Sequence, residues 1–132
     1  MNLQGHHTLV VYRASDRADR TIRRLAVEAR ERNGRLTIVS LAVQEATSRG
    51  CCDTRSVLWN RIARELAAEQ LTHGRAALAS AAAEVDFAVL AHSGRRVAAR
   101  LAEEAGSRNA DEIVVADPAS SGLTRRELRR LA

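Results

Sequence analysis

The chain has 132 residues, of which 45% are hydrophobic and 28% are charged. This length and balance exclude a disordered protein and indicate one domain with its own core. The formal net charge is +5, and all 21 basic residues are Arg. These arginines are spread over every helix and do not form one basic patch, and only three residues are aromatic. The sequence therefore argues against nucleic acid as a partner.

The first half of the chain predicts a strand, a helix and a second strand. Residues 8–12 are an apolar, β-branched run of the kind that is buried on both faces of a sheet. Ser15 or Asp16 can cap the helix that follows, and Asn33-Gly34 ends it. Residues 36–43 predict the second buried strand.

The second half repeats this alternation. A polar loop at 44–55 precedes a long helix over 56–83, in which Gly74 indicates a bend or close packing. Residues 85–91 predict strand three, 97–105 predict helix three, and 113–116 predict strand four. Thr124 and Glu127 are spaced as a capping box for the last helix. Strands that alternate with helices predict a parallel sheet in a three-layer α/β domain spanning residues 1–132.

Nothing in the sequence suggests a membrane protein. No stretch approaches the roughly 20 apolar residues that a transmembrane helix needs. The amino terminus lacks the charged region and the cleavage site of a signal peptide. We therefore expect a cytoplasmic protein with no membrane partner.

Several segments resemble the universal stress protein family. The resemblance covers essentially the whole chain and rests on the strand, loop and helix at 10–25, the long second helix, and above all residues 110–115, Ala-Asp-Glu-Ile-Val-Val. It implies a Rossmann-like sheet of the adenine nucleotide alpha hydrolase-like type, with strand order 3-2-1-4-5. The chain stops after the last helix, so we expect the order 3-2-1-4 with the fifth strand absent. Strand four is then an edge strand with unpaired backbone groups. We expect either that it pairs with a second subunit or that the missing fifth strand reflects a truncation.

The chain departs from the family at its ATP loop. The loop glycines of ATP-binding members would fall at Ala116, Ala119 and Arg129, and their final Ser or Thr at Arg130. Glycine in such a loop permits unusual backbone angles and close approach of phosphate. Arg13 stands where the family has an Asp after strand one. We therefore expect a degenerate ATP site and no cofactor.

The candidate ligand site lies at the carboxyl ends of strands one and four. Adjacent strands are about 4.8 Å apart, so Arg13 and Asp117 are within reach of each other. We favour a salt bridge or loose polar contact between them that plugs the cleft. The alternative is that Arg13 and nearby helix amino termini bind an anion or substrate. The candidate ligand-binding residues are Arg13, Ser15, Val43, Asp117, Ser120 and Ser121.

Two other constellations are weaker candidates. Cys51 and Cys52 are either a redox switch or two reduced thiols. A metal site shared with His6 and His7 is rejected, because parallel strands place the two pairs roughly 20 Å apart, and no metal site is predicted.

A hydrolytic triad of His92, Ser93 and Asp117 is rejected, since three strand spacings separate His92 from Asp117 by about 14 Å. Trp59 is interpreted as a core or dimer anchor rather than a ligand-stacking residue.

These patterns leave two main hypotheses for function. The first is a non-enzymatic stress-response domain that acts by association, as a homodimer. The second is a small-molecule or nucleotide sensor that uses the altered cleft. Nucleotide hydrolysis is a distant third, because the sequence offers no evident base, Mg²⁺ carboxylates or phosphate cradle.

Overall fold

The structure is a computed structural model that describes residues 5–44, 54–93 and 96–131. Strands and helices alternate along it as predicted, with short 3₁₀ helices at Ala79–Glu84 and Pro118–Ser120. The elements are β1 (His7–Val11), α1 (Asp16–Glu31), β2 (Arg35–Val43), α2 (Thr54–Leu78), β3 (Asp86–His92), α3 (Val97–Ser107), β4 (Glu112–Val115) and α4 (Arg125–Leu131).

The strands form one parallel sheet in the order β3-β2-β1-β4, which confirms the predicted topology. In register, Val10 of β1 lies between Ile38 of β2 and Val114 of β4. The chain moves from β1 to β2 and β3 on one side, then crosses to β4 on the other. The carboxyl ends of β1 and β4 therefore form the switch point at which such sheets bind ligands.

Alternate residues of β1, together with Tyr12 directly after it, face the two helical layers. Val10 and Tyr12 are buried in a cluster with residues of α1 and α2. Leu9 and Val11 are buried in a second cluster with residues of α3. Two packed layers on one sheet confirm the three-layer architecture.

Both predicted helix caps are present. Ser15 caps α1, and its Oγ accepts a hydrogen bond from the Ala18 amide at 3.0 Å. Before α4, the Thr124 amide donates to Glu127 Oε2 at 3.0 Å, and the Glu127 amide donates to Thr124 Oγ1 at 3.1 Å. Thr124 and Glu127 therefore form the capping box that their spacing predicts.

Gly74 marks close packing in α2. A Cβ at this position would lie 3.2 Å from Cε1 of the Tyr12 ring, so glycine lets the helix approach the end of β1. The helix is shorter than predicted. It ends at Leu78, because Ala79 has a φ of 54° in the left-handed region and a 3₁₀ segment follows.

Three further expectations concern membrane-spanning helices, the position of β4 in the sheet and the cysteine pair. None of the helices in the described ranges combines the length and the apolar character needed to cross a bilayer. Within the same ranges, β4 is an outer strand of the sheet and pairs only with β1. The candidate redox residues, Cys51 and Cys52, lie outside the described residues.

Candidate functional site

A cavity of about 620 Å³ opens at the carboxyl ends of the strands, at the predicted edge of the sheet. The ends of β1 and β2 contribute Val11, Tyr12, Ser40 and Leu41 to its lining. The first half of α2 lies on one side, and the loop between β4 and α4 lies on another. The cavity therefore lies at the carboxyl ends of β1 and β2, and the loop after β4 extends it to the switch point between β1 and β4.

The α2 side of the cavity is apolar. Trp59, Ile62 and Leu66 line it, and their exposed fractions are 51%, 40% and 53%. Further along the same helix, Leu71 and Leu78 are buried against the sheet. The structure contradicts the interpretation of Trp59 as a core residue, because about half of its side chain is exposed at the cavity, whereas its interpretation as a dimer anchor stays a prediction.

Several of the polar groups at the cavity are already used for structure. Gln70 Oε1 accepts a hydrogen bond from the Ala14 amide at 2.6 Å, which ties α2 to the loop after β1. Glu127 also lines the cavity while it caps α4. His92 reaches the cavity from the end of β3, and burial lowers its pKa.

Arg13 crosses the cavity toward the loop after β4. A Cβ on Gly122 would lie 3.2 Å from Arg13 Nη1, and Gly122 has a φ of 78°. Glycine at this position therefore permits the left-handed backbone of the turn and also lets the Arg13 guanidinium come close to the chain. Arg13 itself is exposed, and no described carboxylate forms an ion pair with it.

Asp117 binds the start of α1 and forms no ion pair with Arg13. Its side chain is 7% exposed, and Oδ2 accepts a hydrogen bond from Ser15 Oγ at 2.8 Å. This bond is the main reason that the pKa of Asp117 lies below its usual range. Oδ1 is buried and accepts no hydrogen bond from the described part of the chain.

The predicted plug, a salt bridge or polar contact between Arg13 and Asp117, is therefore wrong. The spacing of β1 and β4 brings the two residues to neighbouring positions, but the hydroxyl at the cap of α1 competes for the carboxylate. A helix amino terminus also favours a negative charge. The cleft is consequently open and not plugged by this pair.

The structure divides the candidate residues into two groups. Arg13, Val43 and Ser121 line the cavity. Ser15, Asp117 and Ser120 lie outside its lining, at the start of α1 and on the loop after β4. The second group shapes the surroundings of the cavity without forming its wall.

Sequence reasoning missed a network that joins three elements beside the cavity. Tyr12 Oη donates to Asp19 Oδ1 at 2.5 Å, and His73 Nε2 lies 3.1 Å from Asp19 Oδ2. Burial and the Asp19 hydrogen bond raise the pKa of Tyr12 above its usual range. The available signal was Asp19, a carboxylate one helical turn after Ser15 on the face that meets the end of β1.

In the described ranges, histidines and carboxylates do not converge on a metal position. No three His, Cys, Asp or Glu side chains group suitably among the residues with described positions. His7 is buried, with Nε2 2.8 Å from Thr37 Oγ1 and Nδ1 3.1 Å from the Arg108 carbonyl oxygen. These bonds give His7 a structural role at the amino end of the sheet.

Similarity to known proteins is found at the level of structure. No protein-family model and no curated protein matches the chain. The universal stress protein UspA from Lactobacillus plantarum has a TM-score of 0.71 at 13% identity, over 98% of this chain and 91% of that one. A universal stress protein family member from Burkholderia pseudomallei has a TM-score of 0.67 at 20% identity, over 95% and 86% of the two chains.

A third solved structure is a universal stress protein from Archaeoglobus fulgidus in complex with dAMP. Its TM-score is 0.55 at 20% identity, over 84% of this chain and 79% of that one. These comparisons confirm the fold that the sequence resemblance implied. The chain has the fold of the universal stress proteins.

Proposed function

We propose that this chain is a universal-stress-protein-like domain that binds a small molecule in the cleft at the carboxyl ends of β1 and β2. The observation that carries the proposal is the open cavity of about 620 Å³ at the switch point of the sheet. Ligand sites in proteins are typically about 300–1,000 Å³, with mostly apolar walls and a few polar groups. The apolar side chains of α2 and the few polar groups around Arg13 fit that description.

The universal stress proteins of known structure support a ligand of nucleoside size. The Archaeoglobus fulgidus protein was solved with dAMP, and another universal stress protein was solved with cAMP. Their fold is shared by this chain, and the cavity here has the volume for a molecule of that size. On this proposal the domain acts in the cytoplasm as a sensor in a stress response.

We propose binding without catalysis. Glu127 caps α4 through Thr124, and Gln70 holds the Ala14 amide, so both side chains are committed to the fold. Groups held in this way orient a ligand and are poorly suited to move protons during a reaction. The proposed role therefore requires no cofactor and no metal ion.

The proposal is tested by filling the cavity. Trp59 is the single tryptophan of the chain and lines the cavity, so its fluorescence reports on occupancy. Adenosine is titrated into the wild type and into Ala63→Phe, which adds a ring to the cavity lining. Ala68→Phe on the exposed side of α2 is the matched control.

We expect adenosine to change the Trp59 emission of the wild type and of Ala68→Phe in a saturable manner. Ala63→Phe should weaken this binding at least tenfold, since each 1.4 kcal/mol of lost binding is about a factor of ten. Equal affinity in all three proteins would locate the ligand elsewhere and overturn the proposal.

A second candidate function is self-association. Val57 and Leu58 of α2 are 60% and 55% exposed, beside the cavity but outside its lining. An exposed apolar patch of this kind is a common mark of an interface, and the outer side of β4 is a second surface open to pairing. Both surfaces support a homodimer.

Sedimentation velocity over a range of concentrations tests this second candidate. We expect the wild type to dimerise and Leu58→Glu to remain a monomer with unchanged ligand binding. Val27→Glu changes an apolar residue that is 56% exposed on α1 and is the matched control. A monomeric wild type at the highest concentration, or a dimer that withstands Leu58→Glu, contradicts association through this part of α2.

A further inference from the structure

Arg13 brings a positive charge to the cavity that no described carboxylate neutralises. It follows β1, its side chain is exposed, and it lines the cavity without forming an ion pair in the described ranges. Other arginines of the chain are paired. Arg100 Nη1 and Arg108 Nε lie 3.1 Å and 2.8 Å from carboxylate oxygens of Glu104. The guanidinium of Arg13 is therefore available to a ligand in the cavity.

The guanidinium lies beside the loop after β4. A Cβ on Gly122 would be 3.2 Å from Arg13 Nη1. The neighbouring hydroxyl of Ser121 is already used within the loop, because its Oγ donates to the Pro118 carbonyl oxygen at 2.9 Å and accepts from the Leu123 amide at 3.2 Å. Arg13 is consequently the charged group that a ligand meets on this side of the cavity.

The negative charge of the lining is held elsewhere. Glu127 is the other lining residue with a full formal charge among those described, and its Oε2 accepts a hydrogen bond from the Thr124 amide. Its charge also acts on His92, where it partly opposes the lowering of the pKa by burial. Arg13 and Glu127 form no ion pair with each other. The two charges of the lining therefore remain separate.

The α2 side of the cavity suits a different part of a ligand. Large apolar side chains alternate there with small ones, which leaves room for a ring between them. Burial of an apolar or aromatic ring against such side chains is favourable. The cavity therefore combines an apolar wall on α2 with a cationic group at the end of β1. The wall residues are Trp59, Ile62, Ala63, Leu66 and Ala67.

We infer that the ligand of this cleft is an organic anion, with an apolar ring system against α2 and an anionic oxygen group on Arg13. This inference rests on the proposed function, because it names the class of ligand for the same cavity. A guanidinium donates paired hydrogen bonds to a carboxylate or a phosphate, and these bonds are stronger than those between neutral groups. The partly enclosed, apolar surroundings reduce screening by water and strengthen the attraction. Arg13 is the specificity-determining residue of the cleft.

Three probes that carry the same ring system test the inference. The anions are 1-naphthoate and 1-naphthyl phosphate, and 1-naphthamide is the neutral counterpart of the carboxylate. Their affinities are measured by isothermal titration calorimetry for the wild type, Arg13→Gln and Arg32→Gln. Arg32 is exposed at the carboxyl end of α1 and lies outside the cavity lining, so its variant loses the same charge at a distant position.

In the wild type and in Arg32→Gln we expect 1-naphthoate to bind at least about tenfold more tightly than 1-naphthamide. In Arg13→Gln this preference should fall to within about twofold, because glutamine keeps a polar group but not the charge. The affinity for 1-naphthamide should be similar in all three proteins, since its ring contacts α2. A gain for 1-naphthyl phosphate as large as that for 1-naphthoate supports the inference for both anionic groups, and a gain for 1-naphthoate alone supports it for a carboxylate.

The outcomes separate the inference from the proposed function. If 1-naphthamide binds the wild type as tightly as both anions, or if Arg13→Gln weakens neither anion more than Arg32→Gln does, the inference fails and small-molecule binding stands. The same holds if adenosine binds and none of the naphthalene probes does. If adenosine and all three probes fail to bind, both fail. The preference of the wild type for an anion can be read even if Arg13→Gln proves unstable.

Discussion

The two halves of α2 meet the rest of the molecule in opposite ways. The second half is buried against the sheet through Leu71 and Leu78, and Gly74 packs on the Tyr12 ring. The first half carries large apolar side chains that are exposed at the cavity, including Trp59 and Leu66. One helix therefore holds the fold together at one end and forms a wall of the ligand cleft at the other.

The largest expected difference in the free energy of unfolding lies between alanine variants of two leucines of this helix. Leu71 is 4% exposed and Leu66 is 53% exposed. Leu71→Ala removes core contacts and should lower the free energy of unfolding by about 2–5 kcal/mol. Leu66→Ala should change it by less than about 0.5 kcal/mol, because the side chain is already half in water. Urea unfolding of both variants measures the contrast, and equal losses would show that the first half is packed as tightly as the second.

The second-largest effect on stability is expected from the loss of the Tyr12 hydroxyl. Tyr12→Phe removes the donor to Asp19 and leaves a mostly buried carboxylate with one partner fewer. We expect a loss of about 1–3 kcal/mol in thermal or urea unfolding. His73→Ala, which breaks the more exposed contact to the same carboxylate, should cost at most about 1 kcal/mol. A larger loss for His73→Ala than for Tyr12→Phe reverses this order and contradicts the assignment.

A smaller effect is expected from alkaline pH. Tyr12 is the single tyrosine, and burial raises its pKa above its usual range. The folded state therefore holds the phenol proton more tightly than the unfolded state does. The resulting stability is complete below a pH of about 10 and falls as the pH rises further.

Tyrosinate absorbance and circular dichroism measure this effect together. We expect tyrosinate to form only as the helical signal is lost, and the extra alkaline sensitivity to be missing from Tyr12→Phe. Ionisation at a pH near 10 with the helices intact would place the hydroxyl in water and break the contrast between the two halves of α2.

Much of the fold could be predicted because local signals agree with it. The apolar run at 8–12, the cap at Ser15 and the Thr124–Glu127 box each carry their structural meaning within a few residues. The strand order came from resemblance to a family, and the solved neighbours share it. The helix caps, the strand at 8–12 and the strand order could therefore be predicted from the sequence and its resemblance to the family.

The candidate site was less predictable, because it depends on contacts between distant segments. Trp59 and Leu71 belong to the same helical periodicity, which does not reveal whether sheet residues fill the space opposite each of them. The spacing of β1 and β4 brings Arg13 near Asp117, but it does not rank the Ser15 hydroxyl against a guanidinium as a partner for the carboxylate. Such competition is decided by three-dimensional geometry.

The central position of β1 has a consequence for the order in which the chain folds. The His7 amide donates to Asp111 Oδ2 at 2.7 Å across a separation of 104 residues, and β4 pairs with β1 over the same span. During synthesis, β1 leaves the ribosome before β4, and the side of β1 that pairs with β4 stays unpaired until Glu112–Val115 emerge. A fold built on such distant pairings forms slowly and exposes a strand edge meanwhile. The nascent chain is therefore most vulnerable to aggregation and to proteases before residue 112 becomes available.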